Sequence, residues 1–377
     1  MITCAHIKES NTDQLEEIEQ ETMLSRYTSL ILRSKCKLCL ILFVGLFILI
    51  LVLIIPQSSK QPKPKPCSHN LQLPQHSGCN REEALCARTF NNVAYATMHN
   101  AFATSQDGFV FAQHRACMRS GLKSGIRAFM LDAYLITASD ELKLCHESCR
   151  WGSSSLTKAL LMFEEFLRLN PREIVTIIWE FKVEGQQHRT PQDIASLKRL
   201  FVIAMKSTGL LPYLHSQTPR DNQEWPTLNA MIATNSRLVS LTDTNALNDE
   251  SWDMYTYDYA METEFQSKSK AELDKSCVRD RGFPQNALLI LNHFTVIGAI
   301  GIDTTITDTL AQFTGIDSLL GINHEPYMWN RISDCAECLG RFPNFVAVDF
   351  WESSDVIPVV KKINSATFPT NKSKCKE

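Results

Sequence analysis

One uninterrupted apolar run limits the fold of this chain more than any other feature. Residues Leu38 to Ile55 (LCLILFVGLFILILVLII) carry no charge over 18 consecutive positions. A helix needs about 17–25 such residues to cross the hydrocarbon core of a bilayer. A cleaved signal peptide is the alternative, but the run starts late in the chain and no small-residue cleavage pattern follows it. We therefore predict one transmembrane helix over 38–55 that acts as an uncleaved signal anchor.

The position of the cysteines indicates on which side of the membrane the remaining chain lies. Of 13 cysteines, three precede or lie within the apolar run and ten follow it. Such a number is typical of a disulfide-bonded domain in an oxidising compartment. The flanking basic residues decide little, because four lie closely before the run, between Arg26 and Lys37, and three closely after it, between Lys60 and Lys65. We predict a single-pass type II membrane protein whose C-terminal domain is lumenal or extracellular. A cytosolic domain with reduced cysteines is the alternative.

Composition divides the chain into five predicted segments. They are a cytoplasmic tail (1–37), the signal anchor (38–55), a spacer rich in proline and lysine (56–78), one large domain (79–364) and a C-terminal tail (365–377). The spacer is typical of a semi-rigid linker that holds a domain off the bilayer. In the first tail, Tyr27-Thr28-Ser29-Leu30 matches the tyrosine-x-x-apolar pattern that endocytic adaptors bind, although so short a pattern also arises by chance. An endocytic adaptor is therefore a candidate partner.

The charge balance excludes nucleic acid as a partner. The chain has 38 basic and 41 acidic side chains, which gives a net charge of −3. Nucleic-acid binders present a basic cluster on one face, and here the lysines of the spacer are the nearest approach to one. With 44% apolar and 21% charged residues, the composition is that of a globular protein with a sizeable core.

Strands and helices alternate along the large domain. Short β-branched or aromatic runs bounded by polar segments predict buried strands. These are Val93–Met98, Arg127–Tyr134, Ile174–Phe181, Arg237–Thr242, Ala287–Phe294 and Phe345–Phe350. Apolar residues at helical spacing predict helices over Leu156–Leu169, Asp193–Ser207 and Thr227–Asn235. The alternation indicates an α/β fold with a parallel sheet, either closed into a (β/α)8 barrel or doubly wound.

Polar residues follow the apolar runs at the ends of several predicted strands, which is where barrels of this kind carry functional side chains. They are His99 and Asn100 after the first strand, Asp132 at the end of the second, His146 shortly afterwards, Glu180 and Lys182 at the end of the third, and Asp349 at the end of the last. Alternation along the second strand puts Asp132 on one face and Arg127 on the other. If Asp132 and Glu180 point inward, they lie across the same barrel mouth, whereas Arg127 is structural.

Two histidines, an amide and two carboxylates are suited to metal-assisted cleavage of a phosphodiester. One histidine accepts a proton from the attacking hydroxyl and the other donates one to the leaving oxygen. The oxygens of Asn100, Asp132 and Glu180 are ligands that Ca²⁺ or Mg²⁺ prefers. Lys182 adds a positive charge beside a phosphate oxygen. Each residue alone is more often structural, so the prediction rests on their joint arrangement.

Two cysteine pairs allow a different site. Cys145-His146-x-x-Cys149 and Cys335-x-x-Cys338 together have the ligand types of a zinc site. In a disulfide-forming compartment, the same cysteines are expected to form disulfides in loops. One of these disulfides is expected to brace the loop that carries His146.

The order of the motifs resembles a known family. The motifs are Cys79 with Leu85-Cys86, Tyr95 to Asn100 (YATMHN), Gly125 to Asp132 (GIRAFMLD), Leu144-Cys145-His146, Asn170 to Ile177 (NPREIVTI), Trp225 to Leu228 (WPTL) and Phe342 to Phe350 (FPNFVAVDF). Between about Cys79 and Asn364 the chain looks like the X domain of phosphatidylinositol-specific phospholipase C (PI-PLC). It is more closely similar to the secreted or membrane-anchored phospholipase C-like phosphodiesterases of eukaryotes.

The resemblance implies a TIM-type barrel, often irregular, and a set of catalytic roles. His99 matches the general base of the family and His146 its general acid. Asp349 falls where bacterial relatives orient the first histidine. In the signalling enzymes of the family, an inositol 2-hydroxyl attacks its own phosphodiester and yields a cyclic phosphate and diacylglycerol.

The same resemblance implies a calcium cofactor, with one departure. Asn100, Asp132 and Glu180 match the calcium ligands of the eukaryotic signalling enzymes, and Lys182 matches a residue near the substrate headgroup. Those enzymes carry a further acidic ligand two residues before the aspartate, where this chain has Met130. Loss of one carboxylate weakens the expected Ca²⁺ affinity.

The leading hypothesis is a phosphoric diester hydrolase that acts on an inositol-type phospholipid or glycolipid headgroup at a membrane surface. A glycerophosphodiesterase or sphingomyelinase-D-like activity is an alternative, because such enzymes use a similar barrel and a histidine pair. A barrel that binds a headgroup or a partner without turnover is a third hypothesis. It is kept because Met130 stands where the signalling enzymes have a further acidic ligand.

Overall fold

The computed structural model describes residue 67 and residues 69–218, 225–244, 250–296 and 321–366, all within the unit Pro64–Glu377. The predicted transmembrane helix over 38–55, the Tyr27 pattern and nearly all of the C-terminal tail lie outside these residues. Over the described ranges, no helix combines the length and apolar character that a bilayer span requires. The signal anchor and the segment boundaries therefore stay predictions.

The described residues contain one sheet of eleven strands. They are β1 (Tyr95–Met98), β2 (Ala128–Ile136), β3 (Glu141–Cys145), β4 (Ser153–Ser155), β5 (Val175–Val183), β6 (Leu238–Thr242), β7 (Met254–Tyr255), β8 (Ala260–Thr263), β9 (Arg279–Arg281), β10 (Leu288–Asn292) and β11 (Phe345–Val348). Each strand predicted from the sequence is found, with ends within two residues of the prediction.

The helices surround this sheet. They are α1 (Met118–Ser124), α2 (Leu156–Leu169), α3 (Pro191–Ser207), α4 (Leu228–Ala233), α5 (Thr256–Tyr259), α6 (Lys270–Leu273), α7 (Tyr327–Leu339) and α8 (Val356–Ser365). The bounds of α2 are those predicted, because the Ser155 hydroxyl accepts a hydrogen bond from the first turn. The predicted third helix is likewise capped by Thr227. α3 begins two residues before its prediction, because Thr190 and Asp193 form a capping box around Pro191.

Parallel neighbours dominate the sheet. β7, β6, β5, β2, β1, β11, β10 and β8 lie side by side in this order, and each pairs in parallel with the next. Pairing of β1 with β11 brings the first and last strands together, whereas no ladder joins β7 to β8 in the described part of the chain. The fold is therefore α/β with a curled sheet of the TIM-barrel type. The prediction of a barrel-type parallel sheet is confirmed, and the doubly wound alternative is not.

Asp132 and Glu180 lie inside strands, not at strand ends as predicted. β2 continues to Ile136 and β5 to Val183. β2 is longer than predicted because its last residues form an antiparallel hairpin with β3, and the hydrogen bonds of this hairpin extend β2 beyond the mouth of the barrel. β5 follows β2 in parallel over the same length, and this pairing places Asp132 directly beside Glu180.

Apolar residues fill both sides of the sheet. One cluster lies between the sheet and the helices that cover it, and includes Phe129, Phe163, Phe166 and Val356. The second includes Tyr95, Ala128, Ile178, Val239, Leu241, Leu288 and Phe345, which occupy the inner face. Along β2 the inner face runs from Ala128 through Met130 to Asp132, because side chains alternate between faces. The polar site therefore lies on top of an apolar barrel interior.

Arg127 points to the opposite side and is structural, as predicted. Its buried guanidinium forms an ion pair with Glu173. It also donates a hydrogen bond of 2.8 Å to the Leu122 carbonyl and lies over the Phe166 ring, 5.0 Å from its centroid. These contacts tie β2 to the helical layer and keep Arg127 away from the site.

Disulfides form as the cysteine count predicts. The bonds are Cys67–Cys117, Cys79–Cys86, Cys145–Cys149 and Cys277–Cys335, and Cys338 is disulfide-bonded as well. Because the cysteines of the possible zinc site are oxidised, they are not available as thiolate ligands. The disulfides indicate that the domain folds in an oxidising, extracellular or lumenal compartment.

Candidate active site

A polar cleft of about 460 Å³ opens at the carboxyl ends of the inner strands. Every site residue predicted from the sequence lines it, namely His99, Asn100, Asp132, His146, Glu180, Lys182 and Asp349. Carboxyl ends of parallel strands meet at one edge of a sheet, which explains why residues distant in the chain converge there.

His99 and Asp349 form a hydrogen-bonded pair. The parallel ladder of β1 and β11 places Met98 beside Val348, so the residues that follow these strands are neighbours. The Nδ1 atom of His99 lies 2.9 Å from Oδ1 of Asp349. A proton on Nδ1 leaves Nε2 as the ring nitrogen that accepts a proton. Nε2 lies 3.2 Å from the Asn100 amide nitrogen, which donates to it in the free protein.

Three further residues hold this pair in place. Gln113, with its amide nitrogen towards Asp349, donates to Oδ2 at 2.9 Å. The Phe294 ring stacks on the His99 ring with centroids 3.7 Å apart and planes 4° apart. Buried His114 donates from Nε2 to the His99 carbonyl at 2.6 Å, and burial lowers the pKa of His114 to about 4, so it is neutral. Sequence analysis missed all three, although Phe294 ends a predicted strand.

His146 lies at the end of β3. Its Nδ1 atom lies 3.1 Å from the Phe111 carbonyl and donates to it, which leaves Nε2 for proton transfer. Burial lowers the pKa of His146 from its ordinary value. The Cys145–Cys149 disulfide closes the short loop around His146, as the sequence predicted.

The backbone turns sharply after each of the three catalytic candidates. Asn100, Glu147 and Phe350 follow His99, His146 and Asp349, and their φ angles are 44°, 59° and 48°. A left-handed conformation costs a residue other than glycine about 1–3 kcal/mol and persists where the surroundings impose it. Three of the seven such residues in the described part of the chain therefore lie at this cleft, and the other four lie outside it.

The two predicted carboxylate ligands share a lysine. The Lys182 ammonium lies 2.8 Å from Oδ2 of Asp132 and 3.1 Å from Oε2 of Glu180. Burial raises the pKa of Asp132 to about 6, and Lys182 acts in the opposite direction. Burial would lower the pKa of Lys182, but Asp132 and Glu180 outweigh it and raise that pKa, so the ammonium stays charged.

The two carboxylates that the sequence predicted as Ca²⁺ ligands are already paired with a cation of the protein itself. Calcium takes about 6–8 oxygen ligands. Here the carboxylates of Asp132 and Glu180 already coordinate an ammonium, and the Asn100 amide presents its nitrogen to His99. The side chain of Met130 adds no oxygen. Within the described residues, no cluster of three or more histidine, cysteine or acidic side chains has the geometry of a metal site.

A second polar group extends the cleft on the inner face and was missed from the sequence. Glu262 is buried on β8, lies 2.8 Å from Arg281 of β9 and accepts a 3.0 Å hydrogen bond from Asn292. Asp243, which follows β6, lines the same hollow, and burial raises its pKa to about 6. Asp243 follows a predicted strand directly and could have been found. The short, mixed segment Ala260–Thr263 gives no strand signal, so Glu262 could not.

The chain belongs to the PI-PLC X family. The model of this family (PI-PLC X 1) matches residues 85–364, which is most of the chain. The resemblance inferred from the ordered motifs is thereby confirmed.

The chain is also similar to curated proteins, one of which is named for the same domain. A PI-PLC X domain-containing protein of Arabidopsis thaliana is 27% identical over 299 residues, covering 73% of this chain and 62% of the relative. An uncharacterized secreted protein of Arthroderma benhamiae is 23% identical over 313 residues, covering 77% of this chain and 64% of the relative. The chain thus spans less than two thirds of the length of these two relatives.

Similar solved structures include two bacterial phospholipases. The PI-PLC of Listeria monocytogenes has a TM-score of 0.46 at 12% identity, covering 75% of this chain and 98% of that chain. A calcium-dependent phosphoinositol-specific phospholipase C from a Pseudomonas species has a TM-score of 0.37 at 12% identity, covering 74% and 97%.

Proposed function

We propose that this protein is a phosphoric diester hydrolase that cleaves the headgroup phosphodiester of an inositol-type phospholipid or glycolipid. One observation carries the proposal. His99 and His146 line the same cleft, and each has its Nδ1 held by an acceptor, which directs its Nε2 to proton transfer. Membership of the PI-PLC X family supports the same reaction class.

The arrangement accounts for both proton transfers of a phospholipase C reaction. His99 Nε2 takes the proton of a headgroup hydroxyl as its oxygen attacks phosphorus, and Asp349 stabilises the imidazolium that forms. His146 Nε2 gives a proton to the oxygen of the leaving diacylglycerol as the P–O bond breaks. The negative phosphodiester favours the protonated form of His146, against the effect of its burial. The products are a cyclic phosphate and a neutral alcohol.

The polar wall beside His99 supports a headgroup rich in hydroxyls. Asp243, Glu262, Arg281 and Asn292 offer both donors and acceptors in one hollow, next to the Phe294 ring. A polyol ring can bond to several such groups at once, whereas a choline group has no hydroxyl to offer them. This wall favours an inositol headgroup over the choline of a sphingomyelin-type substrate.

The location we propose is the lumenal or extracellular face of a membrane. The disulfides and the secreted relative from Arthroderma benhamiae support an oxidising compartment. In this proposal the segment 38–55 anchors the chain as a type II protein and the spacer keeps the cleft close to lipid headgroups. An endocytic adaptor at Tyr27 stays a prediction.

The proposal is tested by products. Full-length protein in mixed micelles is incubated separately with phosphatidylinositol, a glycosylated phosphatidylinositol, phosphatidylcholine, sphingomyelin and a glycerophosphodiester, and phosphorus NMR identifies what forms. A cyclic inositol phosphate with diacylglycerol is the expected result. A product with the phosphate left on the lipid would point to the sphingomyelinase-D-like alternative. No product from any substrate, with an unchanged circular dichroism spectrum, would favour a binding protein.

The Cys145–Cys149 disulfide is expected to support turnover. Replacing both cysteines with serine frees the loop around His146, and a misplacement of about 1 Å lowers kcat by about 100-fold. KM is expected to change little. The matched control replaces Cys79 and Cys86, which close another short loop. Equal losses of kcat in both variants would show a general effect on folding instead of positioning.

A further inference from the structure

The two acidic residues of this cleft, Asp132 and Glu180, already pair with a cation, which is the ammonium of Lys182. Asp132 is buried, and Glu180 lies beside it in the β2–β5 register. An ionised carboxylate that is buried without a partner is costly, and a cation beside Asp132 offsets that cost. The Lys182 ammonium fills this role from the same strand face as Glu180, at hydrogen-bond distance from both carboxylates.

We propose that Lys182 is the resident cation of the reaction centre and that the protein cleaves its phosphodiester without a divalent metal. This inference rests on the proposed function, and it assigns to a side chain the charge that calcium supplies in the enzymes that the chain resembles. Asp132 and Glu180 then hold the lysine, not a metal ion.

The geometry leaves Lys182 able to contact substrate. An ammonium has three N–H donors. One of them donates to Asp132, and the Glu180 carboxylate lies 3.1 Å from the nitrogen as an ion pair, which leaves a donor for another acceptor. The side chain lines the cleft together with His99 and His146, so the remaining donor is available to a phosphate oxygen. The Tyr134 ring, whose centroid lies 5.7 Å from the ammonium, supports the cation from a further side. Positive charge at this point stabilises the charge that develops on the phosphoryl group.

The number of ligands available to a metal ion also supports a site without a divalent metal. A metal ion entering between Asp132 and Glu180 must first displace Lys182, which is covalently tethered and therefore always present. Met130 occupies the inner face two residues before Asp132 and packs against the apolar interior, so it supplies no third charge. Two carboxylates that already share one ammonium attract a divalent cation weakly.

The test replaces the lysine and measures metal binding directly. Lys182→Met removes the charge with little change in length, and Lys182→Gln keeps a donor for Asp132 in case the methionine variant folds poorly. Lys206→Met is the matched control, because Lys206 pairs with Glu250 outside the cleft. Terbium luminescence, sensitised by Trp151 in the same cleft, reports cation binding without any turnover. Wild-type full-length protein and the control are expected to show no saturable binding at this site, whereas both Lys182 variants gain it.

Turnover is then measured with a chelator and with millimolar Ca²⁺. Wild-type activity is expected to stay the same in both conditions. The Lys182 variants are expected to lose about 10²–10³-fold in kcat with chelator and to regain part of it with Ca²⁺. Loss of wild-type activity with chelator and its return with Ca²⁺ would overturn the proposal, as would wild-type terbium binding that the variants lose. If wild-type protein cleaves no lipid, the proposed function fails, and the terbium result still decides whether Lys182 excludes a metal.

Discussion

Replacing His99 with alanine is expected to lower kcat by about 10²–10⁴-fold. The attacking hydroxyl then has no acceptor for its proton, and Asp349 loses the imidazolium that it stabilises in the transition state. KM is expected to change by a smaller factor than kcat, because the substitution leaves the polar wall formed by Asp243, Glu262 and Arg281 in place. Initial rates on phosphatidylinositol in mixed micelles, measured over a range of substrate concentrations, separate the two constants.

A matched histidine variant shows whether this loss is specific. His69→Ala removes an exposed imidazole outside the cleft, and its kcat is expected to equal that of the wild type. The thermal unfolding midpoints of both variants are compared with the wild type, because a shared decrease would indicate an effect on folding. Wild-type rates in His99→Ala, with the fold intact, would remove His99 from the mechanism and with it the two-histidine reaction.

Replacing His146 with alanine is expected to have an effect that depends on the leaving group. A diacylglycerol alkoxide needs a proton as the P–O bond breaks, so kcat on a natural lipid is expected to fall by about 10²–10⁴-fold. In a nitrophenyl ester of the same headgroup phosphate, the leaving group is a nitrophenolate, which is stable without a proton. On that substrate the loss is expected to be much smaller, and the ratio of the two losses measures acid catalysis by His146.

The pH profile gives an independent measure of the same role. His146 must be protonated to act as an acid, so wild-type kcat on the lipid is expected to fall as the pH rises through its pKa in the complex. This alkaline decrease is expected to disappear in His146→Ala. Equal losses on both substrates, with the alkaline decrease retained, would show that His146 only supports the loop that the Cys145–Cys149 disulfide closes.

Short-range patterns in the sequence were sufficient to predict the strands and helices and many of the residues that line the cleft. Short, continuous apolar runs located the strands, because a strand buried on both faces needs such a run. Apolar residues at helical spacing located the helices, and the structure adds that the hydroxyls of Ser155 and Thr227 satisfy backbone donors that two of these helices leave unpaired. His99, His146 and Asp349 were found as polar residues that follow apolar strands. The same rule located Asp132 and Glu180 on the inner face but misjudged where their strands end.

Other features depend on contacts between residues far apart in the chain. Asp349 reaches His99 across 250 positions because β11 pairs with β1, and no local pattern specifies that pairing. Gln113 and His114 lie in a loop without periodicity, so their contacts with Asp349 and His99 exist only once the barrel has formed.

The cation of the site shows the difference most clearly. The sequence by itself determined that Glu180 and Lys182 share one face of their strand and that Asp132 lies on the face of its strand opposite to Arg127, because side chains alternate along a strand with a period of two. Only the tertiary structure decided that the ammonium contacts both carboxylates, since this depends on the β2–β5 register and on the burial of Asp132. A strand pattern specifies which face a charge occupies, whereas the distance between charges on different strands is set by how the sheet assembles.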